Sequence, residues 1–138
     1  MTRHARNLLA LGLALAACRS TTERHAPGPS QIEITQMAPV RAWELWGDGK
    51  SLGSLVRFEV PGDPSRAYFS VRNREGQEMG MVDVEGRAWR YRAHAADPEW
   101  IGSGTVFDGA RRILSGPDST KAVEIDVADL QRILSTQH

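Results

Sequence analysis

Several side chains in this sequence could do chemistry. Cys18 is the only cysteine. A single thiol can act as a nucleophile or an attachment point, but it cannot close a disulfide within the chain or build a thiolate metal site. His94, Asp97 and Glu99 put three potential metal ligands within six residues. Their spacing matches no standard zinc or calcium pattern, so a polar loop around Pro98 is the simpler expectation. Gly102-Ser103-Gly104-Thr105 stands just before a helical pattern, where backbone N–H groups favour an anion. It lacks the lysine and loop length of a P-loop, and Ser103 has glycines directly beside it, unlike a Gly-x-Ser-x-Gly elbow. Capping is its expected role.

Arg87, Arg90, Arg92, Arg111 and Arg112 offer guanidinium groups to a carboxylate, a phosphate or an acidic sugar. Arg90 and Arg92 make a basic stripe if they share one strand face. The competing expectation is that these arginines pair with neighbouring carboxylates. Trp46, beside a glycine turn, is the candidate exposed aromatic, whereas Trp43, Trp89 and Trp100 read as core or lid residues. Together, Trp46, Arg90, Arg92, Arg111 and Arg112 form the candidate ligand or partner surface. No nucleophile, acid and base constellation is visible, and no catalytic residue, metal or cofactor is assigned.

The elements that must position these residues are mostly strands. Trp43 and Leu45 share one face before the turn Gly47-Asp48-Gly49. Leu52, Val56, Phe58 and Val60 follow on one face, and Pro61-Gly62-Asp63-Pro64-Ser65 ends that run. Phe69 and Val71 alternate with Tyr68 and Ser70, Asn73-Arg74-Glu75-Gly76 turns the chain, and Met79 and Met81 then share a face. After Glu85-Gly86, Trp89 and Tyr91 oppose Ala88, Arg90 and Arg92. Val106, Ala110, Ile113 and Leu114 fall at helical spacing, with Ser103 or Thr105 as N-cap and Gly116-Pro117 as the stop. Ala122 to Asp126 reads as a strand, and Asp126 caps a second helix whose apolar face is Val127, Leu130, Ile133 and Leu134.

The expected fold is therefore α+β: an antiparallel meander of about five to six strands, with two short C-terminal helices packed on the sheet and covering one face. A faint repeat runs through it, Asp48-Gly49-Lys50-Ser51-Leu52-Gly53 against Glu75-Gly76-Gln77-Glu78-Met79-Gly80. The first glycine of each copy suits a turn, and the second suits a bulge or a close backbone crossing.

The N-terminal leader has a basic start at Arg3 and Arg6, an uncharged run from Leu8 to Ala17, and small residues at its exit. That is the layout of a secretory signal peptide, and the run falls well short of the roughly 20 residues a membrane-spanning helix needs. Leu15-Ala16-Ala17-Cys18 resembles the lipobox of bacterial lipoproteins. The resemblance covers residues 1–18 and implies that residues 1–17 are cleaved. It also implies that Cys18 carries a diacylglyceryl thioether and that the new amino terminus is open to acylation. Two or three acyl chains make such an anchor stable where one does not. Ala14-Leu15-Ala16 offers an ordinary cleavage site as the alternative, which would release a soluble protein with a spare thiol. Arg19 is not the aspartate that similar proteins use for inner-membrane retention, which tilts sorting toward the outer membrane.

Residues 18–39 comprise the cysteine, a polar, proline-containing tether and a short edge strand, Gln31-Ile32-Glu33-Ile34-Thr35. Residues 40–138 form one small β-rich domain, large enough for a single modest core. The 17 basic residues fall to 15 against 17 acidic once the leader is removed. That near-neutral balance gives no electrostatic case for nucleic acid. The expected function is that of a lipid-anchored envelope protein, held in the membrane through Cys18, whose domain contacts an envelope partner without catalysis. The alternative is a periplasmic or surface lipoprotein that binds a small molecule or glycan; an enzyme comes third.

Overall fold

The structure, a computed structural model, describes residues 36–130. The leader, Cys18, the tether, the edge strand expected at residues 31–35, and Ile133 and Leu134 lie outside the described residues. Six strands follow one another as an antiparallel meander: β1 (Ala38–Gly47), β2 (Lys50–Val60), β3 (Asp63–Asn73), β4 (Glu78–Asp83), β5 (Arg87–Arg90) and β6 (Glu99–Ser103). The helix α1 (Val106–Ile113) comes next, and β7 (Lys121–Ile125) pairs antiparallel with β1. The result is one seven-stranded sheet in the order β6-β5-β4-β3-β2-β1-β7, with a second helical segment beginning at residue 127.

The strand count corrects the expected five to six. Glu99–Ser103, expected as loop, is the added strand. Its flanking Pro98 and Gly104, with Gly102 inside it, gave it the composition of a loop, yet proline at a strand entrance removes no ladder donor. The ladder is irregular there: Trp100 pairs with Trp89 and Gly102 with Ala88, leaving Ile101 as an extra residue. A bulge of this kind obscures the period-2 signal that marks a strand.

The turns follow from their residues. Asp48 and Gly49 both have positive φ, 50° and 71°, which is the two-residue turn that matches the twist of a hairpin. Asn73 and Asp83 build matching turns between β3, β4 and β5. Asn73 Oδ1 accepts the Glu75 and Gln77 N–H groups at 3.1 and 2.9 Å, and Asp83 Oδ1 accepts those of Glu85 and Arg87 at 3.0 and 2.9 Å. Such side-chain bonds mimic a backbone turn and fix where the strand reverses.

The faint repeat proves to be a pair of bulges. Leu45 pairs with Gly53 and Trp46 with Ser51, so Leu52 is extra. Val71 pairs with Gly80 and Arg72 with Glu78, so Met79 is extra. A Cβ on Gly53 would lie 2.0 Å from the Arg72 carbonyl oxygen, and one on Gly80 would lie 2.2 Å from that of Trp89. Only glycine permits these approaches. Each bulge reverses which face the following residues point to, and this overturns two expected faces. Leu52 packs with the cluster containing Leu55, away from Val56, and Met79 packs there too, while Met81 pairs with Ser70 and Trp89 across the ladder.

Apolar side chains are buried on both faces. Trp43, Leu45, Leu55, Phe69, Val71, Val82 and Ala88 pack against Ala110 and Ile113 of α1. Gly109 of α1 sits so close to the sheet that a Cβ would meet Ala88 and Val82 at 3.0 and 3.1 Å. On the other face, Leu130 packs with Ala42 and Val56, and Phe58 and Ile125 lie against them. The two helices therefore lie on opposite faces, not together on one. The Asp126 side chain accepts the Ala128 N–H at 2.9 Å, so the second helix begins immediately after β7, on the side where Ile125 points.

Candidate functional site

The arginines expected to form a binding surface are built into the ends of α1. At its start, Thr105 Oγ1 accepts the Asp108 N–H at 3.1 Å, which makes Thr105 the N-cap. At its end, Ser115 takes a positive φ of 55° and donates its N–H to the Arg112 carbonyl, while Gly116 donates to the Arg111 carbonyl. That crossed pair is a Schellman motif with serine where glycine is usual. Arg90, reaching from β5, donates to the carbonyls of Ile113 (3.1 Å) and Arg112. Its charge thus sits at the negative end of the helix.

The remaining arginines are similarly engaged. Arg112 donates to the Ile101 and Ser103 carbonyls at 3.4 and 3.3 Å, tying α1 to β6. Arg111 donates to the Gly116 carbonyl and pairs with Asp118. Arg92 lies beyond the end of β5, so strand alternation does not carry it to the side of Arg90. It pairs instead with Glu99 at 3.1 Å, and that hydrogen bond holds the Glu99 carboxyl below the usual carboxylate range. His94 has a positive φ of 63° and is exposed, as is Asp97. Among the described residues, no group of three His, Cys, Asp or Glu side chains is placed to hold a metal ion.

Trp46 is 39% exposed. By alternation along β1 it shares a face with Glu44, whereas Leu45 between them points to α1. The structure therefore brings Arg90, Arg111 and Arg112 together around α1 and leaves Trp46 on the opposite face.

That opposite face holds a cavity of about 260 Å³, which the sequence reading did not identify. Glu44 of β1, Ser51 and Ser54 of β2, Arg74 of the β3–β4 turn, and Asp129 and Leu130 of the second helix are among its walls. Glu44 and Ser54 are direct cross-strand partners, and Trp46 pairs with Ser51 beside them. Ile125 and Leu130 make the cavity partly apolar. Arg72 braces one side by donating to Ser70 Oγ at 3.2 Å and to the Gly76 carbonyl at 3.5 Å.

Glu44 is distinctive among the carboxylates of the sheet that are at least partly buried; Glu78 on β4 is exposed, and Asp63 accepts the Ser65 hydroxyl at 2.5 Å. Glu59, Asp83, Glu99 and Glu124 each hold an arginine. Glu44 is half-buried on an interior strand and has no hydrogen-bond or ion-pair partner among the described residues. One sequence signal could have found it: a carboxylate between Trp43 and Leu45, in a strand otherwise committed to the core. The remaining walls come from segments far apart in the chain, which no local pattern connects. No family model matches this chain, and neither does any curated protein or solved structure.

Proposed function

We propose that this chain is a bacterial cell-envelope protein, anchored in lipid through Cys18, whose β-rich domain acts by contact and not by catalysis. The observation that carries this reading is Leu15-Ala16-Ala17-Cys18, placed at the exit of a basic and then apolar leader and containing the sole cysteine. Acylation gives a reason for that thiol: an unpaired cysteine in an exported chain is otherwise exposed to oxidation. The 19 residues between Cys18 and Ala38 have a contour of roughly 65 Å, so the sheet can work clear of the headgroups. The outer membrane is favoured over the inner by Arg19 after the cysteine.

The test is metabolic labelling with a radioactive fatty acid, followed by membrane fractionation. The wild-type chain should be labelled and sediment with membranes. Cys18→Ser should lose the label and accumulate as precursor, and continued labelling of that variant would sink the proposal. A partner in the envelope should be recovered by crosslinking in intact cells.

A second reading, a lipoprotein that binds a small molecule or glycan, is favoured by one observation. The cavity beside Glu44 combines apolar walls with a few convergent polar groups, which is the usual make-up of a ligand site.

A further inference from the structure

We propose that the cavity between β1, β2, the β3–β4 turn and the second helix takes a small organic molecule bearing a cationic amine, with Glu44 as its anchor. The proposal rests on the binding reading above and gives that reading a ligand class. Its basis is the contrast between Glu44 and the other strand carboxylates that are not fully open to solvent as Glu78 is. Glu59, Asp83, Glu99 and Glu124 are each paired with an arginine. Glu44 lines the cavity without any such partner among the described residues. A half-buried carboxylate without a donor has given up part of its hydration and received nothing in exchange, so an ammonium group entering the cavity restores what was lost.

The other walls narrow the class further. Asp129 is already engaged elsewhere, which leaves Glu44 as the carboxylate that the cavity offers, with Arg74 as the one guanidinium among its described walls. Arg74 is exposed in its turn and sits at the rim, where it would repel a second cation and tolerate an anionic or neutral tail. Ser51 and Ser54 supply hydroxyls that can donate and accept, and Ile125 and Leu130 supply apolar contact. At about 260 Å³, the space lies just below the roughly 300 Å³ at which sites for drug-sized ligands begin. It suits an amino sugar, an amino alcohol or an amino acid better than an oligomer. Glu44 is also well held: its strand is paired on both sides, with Ser54 of β2 opposite on one and Val123 of β7 on the other. A binding group on such a strand is positioned before the ligand arrives.

The experiment is calorimetric titration of the full chain with glucosamine and 4-amino-1-butanol, each beside an uncharged counterpart, N-acetylglucosamine and 1,4-butanediol. At least one amine should bind, with its counterpart weaker by about tenfold or more, and added salt should weaken it further. Glu44→Gln should reduce amine affinity about tenfold or more and leave the melting temperature nearly unchanged, while Arg90→Gln should leave affinity as it was. Ser54→Ala, which keeps the carboxylate, should cost only a few-fold and guards against a misfolded Glu44 variant. Equal binding of amines and their counterparts would overturn the cation assignment and leave the binding reading standing. Amine binding unaffected by Glu44→Gln would overturn the site. No heat from any of the four compounds at about 10 mM, a concentration that reveals even millimolar affinity, would overturn the inference and count against the binding reading as well.

Discussion

The face of the sheet under α1 and the face carrying Glu44 are made by the same seven strands, yet they use polar side chains in opposite ways. On the α1 face, Arg90 and Arg112 close gaps in the backbone hydrogen bonding, Arg111 pairs with Asp118, and Arg41, lying over the Trp43 ring, makes a two-pronged bond to Glu124 at 3.0 and 2.8 Å. Those groups are consumed by the fold. On the other face, Glu44, Ser51 and Ser54 surround a cavity and are not consumed by one another. Charged residues mark function only where the fold has left them unspent, and five arginines in a suggestive pattern can all be scaffold. The contrast also carries an energetic expectation: substitutions under α1 should register mainly as stability, and those beside Glu44 mainly as binding.

The largest test breaks both faces at once. Gly53 lines the cavity and also sets the bulge that sends Leu52 toward α1. Gly53→Ala should drive a Cβ into the Arg72 carbonyl at a φ of +150°, costing on the order of 3 kcal/mol in denaturant unfolding. A cost under about 0.5 kcal/mol would mean that the bulge does not control the two faces.

Arg90→Ala should separate the faces. Removing the charged donor from two helix carbonyls should cost about 2 kcal/mol and speed amide exchange in α1. Exchange of the amides around Glu44 and Ser54 should change no more than the global stability does. A local change there would show that the faces are coupled.

Ser115→Gly sharpens the same contrast in the other direction. Relieving a left-handed serine in the Schellman turn should stabilise the chain by about 0.5–1 kcal/mol, raise the melting temperature and leave the Glu44 face unaltered.

The smallest effects are those of pH. The Arg41 hydrogen bond holds the Glu124 carboxyl below its ordinary value of 4.5. The folded form is thus favoured above pH 4.5, and that contribution is lost as pH falls through the depressed value. Glu124→Gln should shallow the acid limb of a stability profile slightly, because the pair is exposed. Burial, aided by Glu78 and Tyr68, pushes the Tyr91 hydroxyl up to about 12. Its contribution is intact below pH 10, the ordinary value, and is lost between 10 and about 12. Tyrosinate absorbance should show both tyrosines titrating above pH 10, because burial raises Tyr68 as well, and Tyr91→Phe should remove the later step.

Much of this architecture was legible in local chemistry. Thr105 before Val106, Asp126 before Val127, and the turns at Asp48-Gly49 and Asn73-Arg74-Glu75-Gly76 each depend on residues within a few positions of one another. The glycine pairs in the faint repeat pointed to the two bulges for the same reason. What period-2 counting could not follow is the parity change after each bulge, because the extra residue is recognised only from its partner strand. Leu52 and Met79 were therefore expected on the wrong face, and β6 was expected as loop.

The sequence by itself determined the antiparallel meander and the start of each helix, both of which are set by short-range sterics, hydrogen bonding and hydrophobic spacing. Tertiary structure alone decided that the two helices lie on opposite faces, that Arg90 reaches the end of α1 across 23 residues, and that Glu44, Arg74 and Asp129 share one cavity. Those outcomes depend on which strands become neighbours. Strand order follows from how the whole chain buries its apolar surface, a condition that no single stretch of residues contains.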